Sequence, residues 1–357
     1  MRIKDIAIFN PKGNKPEEYI NYIDTSSVED GKLHEVQTLS REIPSRAQRL
    51  IALNDILISS VRPNLRHNYF VNKEIPHGIA STGFIQIRVI SSNVNSQFLY
   101  YFLTSEQNVL HYQTIAETSQ STFPSFNKDV IKGLDFPNVT LNDQRHIVDI
   151  LGSIDEKIEN NEQLINIFEN LAAKKYLDFA NQTSTKIRLE DVIELFDSKR
   201  IPLSSREREQ RKGIYPYYGA TGILDYVNGF LFSGEYVLFA EDGTVTDTNG
   251  HPIVQLVNGS FWVNNHAHIL KGKNGWNDYT LYVALKQINV DKAVTGAVQP
   301  KINQANLLSL EIQNLSNNNL QTINTELDVV FHKVFHLRSE NKKLQELKGL
   351  CLKKFFE

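Results

Sequence analysis

The sequence predicts an α+β protein with an internal pseudo-repeat: two mixed strand-and-loop modules joined by two long helices that pair antiparallel as a coiled coil. Three observations predict it. A series of phrases recurs about 175 to 180 residues apart, a period far longer than that of a solenoid unit. Each copy closes on a charged stretch with a heptad seam, and each opens on short β-type runs separated by turn residues.

The repeat reads as follows. Ser125-Phe126-Asn127-Lys128, with an apolar segment ending Leu134-Asp135-Phe136, is answered by Lys301-Ile302-Asn303-Gln304 and a segment ending Leu310-Glu311-Ile312. An Asn-rich stretch and a helix follow in both, closing on Lys174-Lys175-Tyr176-Leu177 and Lys353-Lys354-Phe355-Phe356. Upstream, Ala80-Ser81-Thr82-Gly83-Phe84 lies roughly where Asn264-Asn265-His266-Ala267-His268 lies in the second copy. These landmarks divide the chain into a first module at residues 1–141, a helix at 142–183, a second module at 184–316 and a helix at 317–357.

In the first module, residues 55–59 and 84–90 read as strands, the latter with period-two alternation. A helix is expected over residues 97–112 and loop over 119–137, where Pro124, Gly133 and Pro137 break regular structure. In the second module a short helix is expected over 188–195. Strands are expected at 236–239, 253–257 and 268–270, and a helix at 278–287. In the long helices Ile147, Leu151, Ile154, Ile158, Asn161, Ile165, Phe168 and Ala172 alternate spacings of four and three, as do Ile323, Leu327, Val330, Val334, Leu337, Asn341 and Leu344. Each helix would extend about 55–60 Å, and the two seams satisfy each other. Asn161 and Asn341 fall near the helix midpoints. In an antiparallel pair they meet and fix the register; in a slightly rotated seam each faces solvent.

The composition, 41% hydrophobic and 22% charged, excludes disorder and fibre. No apolar run approaches the length of a membrane span, and Met1-Arg2-Ile3-Lys4-Asp5 carries no signal-peptide core. The single cysteine, Cys351, forms no internal disulfide, so a reducing, cytoplasmic setting is the expectation. A net charge of −3 sets a condition on any nucleic-acid reading: the positive charge must be local, or a partner must supply it.

Ala47-Gln48-Arg49-Leu50 and Gln144-Arg145-His146-Ile147-Val148 in the first copy, followed in order by Glu241-Asp242-Gly243-Thr244-Val245 in the second, give the whole chain a resemblance to the specificity subunits of type I restriction–modification enzymes. The resemblance rests also on residues 55–65 (Asp-Ile-Leu-Ile-Ser-Ser-Val-Arg-Pro-Asn-Leu) and, in the second module, on residues 215–223 and 262–268. Asn319-Leu320-Gln321-Thr322-Ile323 departs from the phrase at Gln144, so the two helix entries differ. The resemblance implies that the modules are target recognition domains, each reading half of a bipartite site in double-stranded DNA. It implies a helical spacer that docks two methyltransferase subunits, with two restriction subunits in the full assembly. S-adenosylmethionine, ATP and Mg²⁺ are then expected on those partners and none on this chain, which is not itself an enzyme. No Walker loop, GxGxxG or adenine-methyltransferase motif is present.

Candidate DNA contacts cluster in loops. Arg62, Asn64, Arg66 and His67 follow a strand, and Arg and Asn suit guanine and adenine edges respectively. Arg46 and Arg49 suit phosphate. In the second module the candidates are Lys199, Arg200, Tyr217, Tyr218, Thr221, Asn249, Asn265 and His266. Each cluster also reads as ordinary turn chemistry on a solvated face. Two other functional classes compete: a repeat-built interaction scaffold without DNA readout, and a metal-dependent hydrolase using His266 and His268, which lie two apart as strand ligands would.

Overall fold

The computed structural model describes residues 1–13, 18–118, 124–296 and 298–357. It divides into two compact units, residues 1–159 with 342–357, and residues 160–341.

Each unit carries two four-stranded sheets. In the first unit one sheet runs Ala7–Phe9, Phe84–Val89, Ile56–Ser59, Asn68–Phe70, all antiparallel. The other runs Gln37–Leu39, Ile20–Ile23, Gly78–Ser81, Ala47–Leu50, with Ile20–Ile23 and Gly78–Ser81 parallel. The second unit repeats both. Its antiparallel sheet runs Ile193–Leu195, Ala267–Gly272, Tyr236–Ala240, Val254–Val257. Its mixed sheet runs Ile223–Val227, Lys212–Tyr218, Ser260–Val263, Phe232–Ser233, and again the middle pair is parallel. The sequence repeat is therefore a repeat of topology.

Three backbone bonds fix the residue correspondence. Ser60 N donates to Gly83 O (2.9 Å) as Glu241 N does to His266 O (2.8 Å). Arg62 N donates to Pro124 O (2.9 Å) as Gly243 N does to Pro300 O (3.0 Å). Phe126 N donates to Ser60 O (3.0 Å) as Ile302 N does to Glu241 O (2.9 Å). The repeated asparagines follow: Asn127 caps the helix Lys128–Gly133, accepting from Asp129 N, and Asn303 caps Gln304–Ser309, accepting from Asn306 N. An Asn side chain satisfies an otherwise orphan amide there. Residues 119–123, part of the expected loop, lie outside the described residues.

Two local expectations are corrected. The helix expected over 97–112 is two helices, Ser96–Leu103 and Glu106–Glu117. Thr104 Oγ1 donates to Tyr100 O (2.8 Å), Ser105 turns extended, and Asn108 Nδ2 takes up the Phe102 carbonyl (2.8 Å). Such side-chain bonds compete with helix continuation. The helix expected over 188–195 is a single turn, Leu189–Val192, between two strands: Lys186–Arg188 pairs with Glu311–Gln313, and Ile193–Leu195 joins the antiparallel sheet.

The long helices run Leu141–Ala180 and Asn317–Phe356. In the second unit Lys175 bonds Glu326, Glu169 bonds Arg338, and Asn161 bonds Asn341, an order only antiparallel helices give. Here the seam buries Ile323, Leu327, Phe331 and Val334 against Ala172 and Tyr176. In the first unit, Lys348 reaches Asp155 at 2.6 Å. Cys351, Leu352, Phe355 and Phe356 pack on the first unit's core, with Phe356 at 5.3 Å from Phe98 between ring centroids.

Asn161 is fully buried, and its Nδ2 donates to Asn341 Oδ1 and Glu340 Oε2, both at 2.8 Å. Asn161→Leu withdraws the donor from both acceptors and is expected to cost ~1–3 kcal/mol. The double variant with Asn341→Leu is expected to recover most of that loss, because an apolar pair suits the seam. Chemical denaturation of both variants measures it; equal losses would mean the amides do not act together.

Candidate nucleic-acid interface

The loops that follow equivalent strands converge at one end of the sheets in each unit. In the first unit Thr82 N donates to Arg46 O (2.8 Å), which brings Arg46 to the Thr82–Gly83 turn beside Ser60. The Arg46 guanidinium is exposed and rests on Asp24 at 3.0 Å. Arg49 is half-buried on the adjoining strand, and burial pushes its guanidinium down from the ordinary value. Arg62 and Arg66 flank the 3₁₀ turn Pro63–Leu65, both in left-handed backbone with φ of 48° and 51°. Non-glycine residues rarely accept this region. At the position equivalent to Arg62 the second unit uses Gly243, with φ of 82°. Arg62 and Asn64 are exposed, and the Asn64 backbone N donates to Gln113 Oε1 (3.2 Å). Arg66 instead ties the turn to the neighbouring helix, through Glu106 and the Thr104 carbonyl (3.3 Å). His67 is half-buried, and its carbonyl accepts from Ser59 N.

In the second unit Asn264 N donates to Tyr218 O (3.0 Å), which seats the hairpin tip containing exposed Thr221 beside exposed Asn265 and half-buried His266. Lys199 is exposed, its ammonium 4.8 Å from the Phe196 ring centroid. Asn249 lies in a separate turn, accepting from Asn289 Nδ2 (3.0 Å) and donating to Asp247 (2.8 Å).

Two candidates belong to the interior. Tyr217 is 1% exposed, and its hydroxyl accepts from Leu203 N (2.9 Å). It occupies the place that buried Tyr22 holds in the first unit, each beside the parallel partner strand. It has no surface to offer a ligand; Tyr218 is only partly covered. Arg200 spends its donors on Glu241 (2.7 Å), Asp197 (3.3 Å) and the Ala267 carbonyl (2.8 Å), with 14% of its side chain exposed. This burial was not legible in the local sequence, because two of the three acceptors, Glu241 and the Ala267 carbonyl, lie 41 and 67 residues away.

The histidines do not share a ligand. His266 Nδ1 bonds Asp242, whereas His268 Nδ1 bonds Asp197 (2.5 Å) and its Nε2 faces the Ile302 carbonyl (2.9 Å). Asp197, Glu241 and His268 are close enough together to suggest an ion site. Arg200 and Lys301, the latter 3.0 Å from Glu241, already occupy the carboxylates, and both His268 nitrogens are engaged. The donor set does not fit a dication.

Burial alone would push the Glu241 carboxyl up, but Arg200, His268 and Lys301 outweigh it and hold it below the ordinary carboxylate range. A depressed folded value adds stability above the unfolded value, lost as pH falls through the folded one. The thermal stability of the second unit is therefore expected to fall below about pH 4.5. Glu241→Gln is expected to flatten part of that fall. Asp278 and Asp328, pushed up by burial, contribute with opposite sign in both proteins. An unchanged slope in the variant would refute the assignment.

The match to known proteins agrees with this architecture. The family model "Type I restriction modification DNA specificity domain" matches residues 1–170 and again 181–348, and the chain belongs to that family. It is 37% identical over 124 residues to one type I restriction enzyme specificity subunit of Haemophilus influenzae. It is 30% identical over 152 residues to another, that of HindI. These matches cover 35% and 42% of this chain and 31% and 33% of the relatives, so the chain spans about a third of their length. The crystal structure of a type I restriction–modification S subunit from M. genitalium aligns over 100% of this chain and 95% of its own. That alignment has a TM-score of 0.57 at 16% identity, a likeness of fold. Among the described residues no helix is long and apolar enough to cross a membrane.

Proposed function

We infer that the chain is the DNA-reading subunit of a type I restriction–modification complex and reads a bipartite duplex target, one unit to each half-site. The observation that carries this reading is the doubled topology. The same two sheets and the same loop junction occur twice, and where the junction loops correspond their residues differ, Arg62 against Gly243 and Gly83 against His266. A rigid scaffold that varies only its loops is how recognition surfaces are built. In the division of labour we propose, residues 1–141 and 184–316 read, and residues 142–183 and 317–357 space the readers and dock two methyltransferase subunits, with two restriction subunits beyond them. Linking two readers raises the effective concentration of the second contact. The chain does no chemistry; S-adenosylmethionine, ATP and Mg²⁺ belong to its partners.

Arg62, Asn64 and Arg46 carry the first half-site in this reading, with Arg62 held in a left-handed backbone state that costs an arginine more than the glycine at the equivalent position. Thr221, Asn265, His266 and Lys199 carry the second.

A map of methylated adenine in cells with and without this chain tests the proposal. The expected result is one split motif, with a constant unread gap, that vanishes on deletion, and of which exchange of residues 1–140 alters one half. An unchanged map would leave the scaffold reading in its place.

A further inference from the structure

The second unit carries at its loop junction a side-chain pair that the fold does not require. His266 Nδ1 is bonded to the Asp242 carboxylate, and the equivalent positions of the first unit hold Gly83 and Val61. The first unit closes the same junction with the same three backbone bonds and no such pair. Stability of the junction therefore does not account for Asp242 and His266.

Both partners are fixed from behind. Asp242 lies between Glu241, whose amide and carbonyl are both bonded across the junction, and Gly243, whose amide holds Pro300. His266 N donates to Oδ1 of buried Asn264 (2.8 Å). Asp242 is nearly covered, at 14% side-chain exposure, while His266 keeps 44%. A carboxylate against Nδ1 sets that nitrogen as the donor, so Nε2 is the polar atom left to meet a ligand. Exposed Asn265 adjoins His266 in the chain, and the bond from Asn264 N to Tyr218 O ties the hairpin that bears exposed Thr221 to the same turn. The carboxylate also argues against a backbone contact, because a paired Asp cancels the attraction a lone histidinium would have for phosphate.

We propose that His266 is a base-reading residue of the second unit and Asp242 its positioning residue. The ligand is a hydrogen-bonding base edge: an exocyclic amino group when Nε2 is unprotonated, guanine N7 or O6 when it carries a proton. This rests on the DNA-reading function proposed above and goes beyond it by assigning one position of one half-site to one pair.

The test uses the complete methyltransferase complex with wild-type chain, His266→Ala and Asp242→Asn. Methylated motifs are mapped for each, and affinities are measured on duplexes altered one base pair at a time. The expected result is that His266→Ala lowers discrimination at a single base pair of the second half-site by roughly 5- to 150-fold, leaving the first half-site unchanged. Asp242→Asn should relax the same base pair, because the Asn side chain can donate to Nδ1 as well as accept from it, and the tautomer that leaves Nε2 free to accept is no longer fixed. Equal weakening on every sequence would mark a phosphate or merely structural contact and overturn the proposal, as would unaltered discrimination in both variants. If wild-type complex itself shows no split motif, the broader reading fails instead. His266 is exposed enough that its truncation tests the idea even where Asp242→Asn lowers stability.

Discussion

Replacing Arg200 by methionine is expected to destabilise the second unit by ~3–5 kcal/mol, the cost of leaving buried charge uncompensated. Asp197 and Glu241 are 9% and 12% exposed, and Arg200 forms an ion pair with each. Without it, two carboxylates share His268 and a half-exposed Lys301 in a poorly hydrated site. At roughly 2–4 °C per kcal/mol for a unit of this size, the midpoint should fall by about 6–20 °C. Trp262 and Trp276 are the chain's two tryptophans and both lie in this unit, so their fluorescence follows its unfolding alone. Combining the change with Glu241→Gln should recover part of the loss. An unmoved midpoint would show that the network is ornamental, and would return Arg200 to the pool of candidate DNA contacts.

The second large effect is expected at Asp55. Its fully buried carboxylate accepts from Arg88 Nε and Nη2 and from Gln86 Nε2, all at 2.7 Å, and from the Ala52 amide at 2.8 Å. Asp55→Ala strips four donors of their acceptor at once and is expected to cost ~3–5 kcal/mol in the first unit. Asp55→Asn keeps the shape but turns an amide toward a guanidinium, and should fall between wild type and Ala. Hydrogen exchange of the strands Ile56–Ser59 and Phe84–Val89 reads the change where it occurs. Full protection in Asp55→Ala would refute the assignment.

The long helices were legible because heptad spacing is local: the helix expected at 142–183 compares with Leu141–Ala180. The strands at 55–59 and 236–239 were legible for the same reason, and they appear as Ile56–Ser59 and Tyr236–Ala240. The mixed sheets were not legible, because strands such as Gln37–Leu39 and Phe232–Ser233 are too short to show periodicity. Loop chemistry was legible as clusters and not as directions. Tyr217 and Thr221 lie four residues apart, yet one is core and the other surface, a difference set by the parallel strand pairing with residues 260–263. Asp242 was visible as a turn residue; its bond to His266 needed the sheet.

The division of the chain into units has a consequence for synthesis. The second unit is continuous, whereas the first waits for residues 342–357, whose Leu352, Phe355 and Phe356 cover part of its core. At about 5–20 residues per second on the ribosome, the 182 residues from 160 to 341 pass, over roughly 10–40 s, between the two parts of the first unit. Through that interval the nascent first unit exposes an apolar face, and the second unit is complete in sequence before the first is. Chaperone demand and premature proteolysis should therefore fall on the part made first.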